Sequence, residues 1–64
     1  MNELQESIIN SLKSQARPIS PKRLVRWLKG YKSEDVLKEI WVLAADGDVN
    51  FDKKWKVFLV KKHE

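Results

Sequence analysis

Cysteine is absent from this 64-residue chain, so neither a disulfide framework nor a cysteine-ligated zinc ion can stiffen it. Histidine occurs once, at His63, one residue from the end. A Cys–His or Ser–His nucleophile pair would have to rest on that residue, where chains usually fray. Only two glycines occur, Gly30 and Gly47, too far apart for a glycine-rich phosphate loop. The longest unbroken apolar run, Ile40 to Ala45, is far too short to cross a bilayer. Met1-Asn2-Glu3 lacks the charged-then-apolar pattern of a secretory leader, and the expected location is the cytoplasm. Carboxylates do pair, at Glu34-Asp35 and at Asp46 with Asp48. The first pair suits the opening turn of a helix and the second a polar turn around Gly47. These absences argue against an enzyme, and no cofactor or metal site is expected.

What remains is ordinary material for a small globular fold, 42% hydrophobic and 34% charged, and the expectation is a single domain over residues 1–64. Asn2 is a good N-cap with Gln5 three residues on, and Leu4, Ile8, Ile9 and Leu12 recur at helical spacing. Arg17-Pro18 breaks that first helix. Ser20-Pro21 opens a second, with serine as cap and proline at the first helical position. Leu24, Val25, Leu28 and Tyr31 face one way with Trp27 at the edge, where it is expected in the core. Lys22, Arg23, Arg26 and Lys29 cluster on the other side, and Gly30 can end the helix in a left-handed conformation.

Ser33 opens a third helix, with Glu34 and Asp35 complementing its dipole. Val36, Leu37, Ile40, Leu43 and Ala44 form its expected buried stripe, and Gly47 stands where a C-terminal glycine belongs. After Gly47 the apolar period changes from helical to alternating. Val49 and Phe51 make one strand, and Trp55, Val57 and Leu59 a second, around a turn at Asp52-Lys53-Lys54. A lone hairpin is marginal in water, so one of its faces must lie on the helices.

Helix, helix, helix and hairpin in this order resemble the winged helix-turn-helix family. The resemblance is carried by Ile19-Ser20-Pro21-Lys22-Arg23-Leu24-Val25, by Ser33 through Leu43, by Ala44-Ala45-Asp46-Gly47-Asp48-Val49 and by Trp55-Lys56-Val57-Phe58-Leu59. It covers about two-thirds of the chain and implies an α+β fold, three helices followed by a two-stranded β-hairpin wing. It also implies that Ile19 forms a short strand paired with the wing. The family's common activity is binding duplex DNA, with the third helix in the major groove and the wing on the backbone. By position, Ser33, Glu34, Lys38, Trp41 and Val42 would lie on or near the groove-facing side. The chain departs from this pattern in charge, because residues 33–46 carry −3. Left-handed-duplex binders of the family place Asn and Tyr where Leu37 and Trp41 stand here, which argues against that subtype.

The remaining segments carry −1 over 1–16, +6 over 17–32 and +2 over 47–64, giving the chain its net +4. Two basic flanks around an acidic third helix point to phosphate contact by Lys22, Arg23, Arg26 and Lys29 with the wing residues Lys53, Lys54 and Lys56. The alternative for these cations is a solvated face that keeps a small protein soluble, and it weighs more for Lys61 and Lys62 at the chain end. Trp55 among the wing lysines either packs on sugar or base, or staples the hairpin to the first helix. Trp41 fits a core or an interface position. Two partners thus follow. One is nucleic acid, duplex DNA foremost, with single strands as a further option through Trp55, in a transcription regulator. The other is a protein docked on the third helix through Glu34, Glu39, Trp41 and Val42, the last read as exposed. A homodimer suits either, and no membrane partner is expected.

Overall fold

The computed structural model describes residues 1–60. Helix α1 spans Glu3–Gln15. The Asn2 side chain accepts the Gln5 N–H at 2.8 Å, while Gln5 Oε1 accepts the Asn2 N–H at 3.1 Å. This capping box satisfies donors that the helix itself cannot. Leu4, Ile8 and Leu12 are buried, and Ile9 packs beside them half-buried. Ala16 ends α1 in a left-handed conformation at φ 53°, donating its N–H to the Leu12 carbonyl at 3.1 Å. The break therefore falls one residue ahead of Arg17-Pro18.

Helix α2 spans Pro21–Trp27, with Pro21 in its first turn and Ser20 Oγ accepting the Arg23 N–H at 3.2 Å. Seven residues are too few to hold a helix in isolation, so α2 relies on the complete burial of Leu24. Its end differs from the sequence expectation. Leu28 leaves the helix at φ −98° and ψ 59°, and Tyr31 donates to the Leu28 carbonyl at 3.1 Å. This turn folds Leu28 and Tyr31 onto the core, and Gly30 takes no left-handed conformation. Lys29 consequently lies in the connection and not on the helix. Trp27 also differs, being 42% exposed where a core position was expected.

Helix α3 spans Ser33–Ala45, with Lys32 at the cap position and no side-chain cap bond. Glu34 and Asp35 in its first turn meet the positive end of the dipole. Val36, Ile40 and Leu43 are buried and Ala44 is half-buried, but Leu37 is 40% exposed instead of joining the stripe. At the far end Gly47 adopts φ 83°. Its N–H bonds the Ala44 carbonyl at 3.1 Å, and the Asp48 N–H bonds the Leu43 carbonyl at 2.9 Å. This paired arrangement is the Schellman motif, and it turns the chain directly into the hairpin.

Strands β1 (Val49–Phe51) and β2 (Val57–Leu59) pair antiparallel, with Val49 opposite Leu59, Asn50 opposite Phe58 and Phe51 opposite Val57. Val49 and Val57 are buried, with Phe51 and Leu59 half-buried, so alternation aims this face at the helices. Ile19 adds an antiparallel bridge to Val57, as the resemblance implies. The result is an α+β architecture of three helices and a two-stranded hairpin, consistent with a winged helix. Burying side chains such as Ile8, Leu24 and Ile40 stabilises this arrangement by about 1.5–3 kcal/mol each. No helix among the described residues is long and apolar enough to cross a membrane. Lys61, Lys62 and His63 lie outside the described residues.

Candidate nucleic-acid interface

Asp52 shapes the loop that joins β1 to β2. Its backbone N–H donates to the Lys56 carbonyl at 2.9 Å, and its carbonyl accepts the Trp55 N–H at 3.0 Å. Its Oδ1 accepts the N–H groups of Lys54 at 2.8 Å and Lys56 at 2.9 Å. Lys53, Lys54 and Trp55 thus form a three-residue hairpin loop whose last member is left-handed, at φ 62°. Glycine usually occupies that position, and a side chain there costs about 1–2 kcal/mol. Trp55 therefore sits in the loop and does not begin the second strand, contrary to the alternation read from the sequence. It is 68% exposed, and its aromatic partner is Phe51 within the hairpin.

The Ile19–Val57 bridge draws the start of α2 alongside this loop. Arg17, Arg23 and Lys56 line a cleft of about 200 Å³ together with Trp27. Arg17, Lys53, Lys54 and Lys56 surround an adjoining depression. A third cleft is lined by Ser20, Lys22, Ser33 and Leu37 from the helical part of the chain and by Lys54 and Trp55 from the wing. Arg17, Lys22, Arg23, Lys53, Lys54 and Lys56 are all exposed. Among the described residues none of the six is held in an ion pair. Asp52, the carboxylate bordering the group, is committed to the loop backbone through Oδ1. Cations crowded in this way set up a positive potential that an anionic ligand relieves.

The nucleic-acid residues expected from the sequence thus divide. Lys22, Arg23, Ser33, Lys53, Lys54, Trp55 and Lys56 come together around the α2–wing clefts. Arg26 lies in the last turn of α2, Lys29 in the connection and Lys38 exposed on α3, and none of them lines these clefts. Arg17 and Trp27 belong to the clefts although the sequence reading left them out. In the sequence Arg17 reads as a helix breaker, and its signals for the site are its place in the +6 segment and its closeness to Ile19.

The residues of the protein-docking alternative divide as well. Glu34 and Trp41 are exposed, with Trp41 at 59%. Glu39 instead accepts a hydrogen bond from Gln5 Nε2 at 2.9 Å, tying α1 to α3. Val42, expected to be exposed, is half-buried. That corrects the docking surface, because two of its four members serve the fold. No protein-family model, curated protein or solved structure matches this chain.

Proposed function

We propose that the chain is a small nucleic-acid-binding module of the winged-helix kind, a cytoplasmic regulator that grips duplex DNA by its phosphates. Arg17, Lys22 and Arg23 near the start of α2 hold one stretch of backbone, and Lys53, Lys54 and Lys56 of the wing hold the neighbouring stretch. One observation carries the reading: a backbone bridge between Ile19 and Val57 gathers cations from separate chain segments along continuous clefts. Phosphate contacts give affinity without reading sequence. Helix α3 has Glu34 and Asp35 in its first turn, and carboxylates there repel phosphate and can read only cytosine amino groups.

Amide shifts of isotope-labelled protein titrated with mixed-sequence duplex DNA test this directly. Shifts over 17–23 and 53–56 at about 50 mM salt that fade at about 200 mM are expected, since phosphate contacts weaken steeply over that range. Silence at the lower salt would overturn the proposal. The exposure of Trp41 favours a second reading, a protein-docking module using Glu34 and Trp41 of α3. Its mark is a complex that survives salt able to screen phosphate contacts.

A further inference from the structure

Three exposed apolar side chains, Leu37, Trp41 and Trp55, join the half-buried Phe51 in a surface strip that phosphate contacts leave unused. Leu37 and Trp41 stand one turn apart on α3, at 40% and 59% exposure. The Trp41 and Phe51 ring centroids lie 4.9 Å apart, and those of Phe51 and Trp55 lie 5.9 Å apart. Trp55 and Leu37 then wall the same cleft of about 510 Å³. Leaving two indoles in water forgoes the burial that normally recruits tryptophan, and a contiguous apolar patch of this kind marks a contact surface. Trp55 is also held at φ 62°, where glycine would relax the loop, so the backbone conformation does not by itself call for tryptophan.

We propose that this strip is a stacking platform for an unpaired nucleobase, so that duplex DNA held by its phosphates binds more tightly where a single-stranded segment adjoins it than where it is continuous. The inference rests on the nucleic-acid reading above. Charge selects the occupant: Lys22 and Lys54 line the same cleft as Trp55, and Lys56 follows Trp55 directly in the chain. A nucleotide offers a π-face and a phosphate a few atoms apart, matching an indole that Lys54 and Lys56 flank in the chain. Ser33 lines the same cleft, and its hydroxyl can bond a sugar or a base edge. A base inside a duplex shows the protein only its edges, so stacking on Trp55 requires one that is unpaired. Every base has a π-face, hence little sequence preference is expected.

Fluorescence anisotropy at low salt with a labelled duplex of about 15 base pairs carrying a single-stranded overhang, and with the same duplex blunt, tests the proposal. The overhang duplex is expected to bind about tenfold more tightly. Trp55→Gly, which suits the loop backbone, should collapse that ratio to near unity, while Trp55→Phe should keep most of it. Equal affinities in the parent protein, or an unchanged ratio in Trp55→Gly, would overturn the stacking site and leave phosphate binding standing. Failure to bind either ligand would overturn both readings. Light scattering on the free protein supplies the last control. A dimer that Trp55→Gly converts to a monomer would assign the strip to a second copy and overturn the proposal.

Discussion

Ile19 and Val57 exchange two backbone hydrogen bonds, from the Ile19 N–H to the Val57 carbonyl at 2.9 Å and from the Val57 N–H back at 2.7 Å. Both side chains are buried. This one contact turns a two-stranded hairpin into a clamped element, and it sets the spacing between the cations of α2 and those of the wing. Strand pairing supplies the direction, and apolar burial supplies most of the energy.

Truncating Ile19→Ala should therefore cost about 2–5 kcal/mol, the usual range for emptying a buried aliphatic site. Urea unfolding measures it. A loss below about 1 kcal/mol would mean that the bridge is held without the side chain.

Trp55→Gly and Trp55→Ala separate backbone from ring at φ 62°. Both lose the contact with Phe51, but only alanine keeps the left-handed cost. Glycine should be the more stable replacement by about 1 kcal/mol, read from their thermal midpoints. Equal midpoints would show that the loop carries no strain there.

The two glycines make opposite predictions from similarly open surroundings, since a Cβ on either meets nothing within 4 Å. At Gly47, with φ 83°, alanine should destabilise by about 1–2 kcal/mol. At Gly30, outside the left-handed region, alanine should be neutral or stabilise by up to about 1 kcal/mol through the unfolded chain. The pair is compared by denaturant midpoints at constant slope.

Charge reversal distinguishes the folded interface from the one read along the sequence. Arg17→Glu should weaken duplex binding and lower the slope of log affinity against log salt by about one contact or more. Lys29→Glu should have a smaller effect, because Lys29 sits in the α2–α3 connection and outside the clefts. Competition binding across a salt series gives both slopes. The opposite order would return the site to the far side of α2.

Local signals account for what was legible beforehand. Asn2 with Gln5, Ser20 with Pro21, and Gly47 each act within a few residues, so their spacing reports helix ends directly. Alternation from Val49 to Leu59 fixed the inward face of the hairpin because its period reverses with a one-residue slip. The end of α2 was not legible, since Leu28 leaves the helix in order to pack a half-buried side chain on the core. Leu37 misled for a related reason, as helical spacing places it at the margin of the stripe and only the position of the wing decides its exposure. The left-handed Trp55 had no sequence signal, because tryptophan is a poor indicator of a place usually given to glycine. Arg17 entered the site only when Ile19 found Val57, a pairing across most of the chain.

Asp52 holds the wing by bonding main-chain N–H groups, and the side chains of Lys53 and Lys54 take no part in those bonds. The shape of the loop and the chemistry of its tip are therefore separately adjustable. Residues 53 and 54 can change in charge or length while the turn persists, so the proposed ligand preference is open to retuning here without rebuilding the fold.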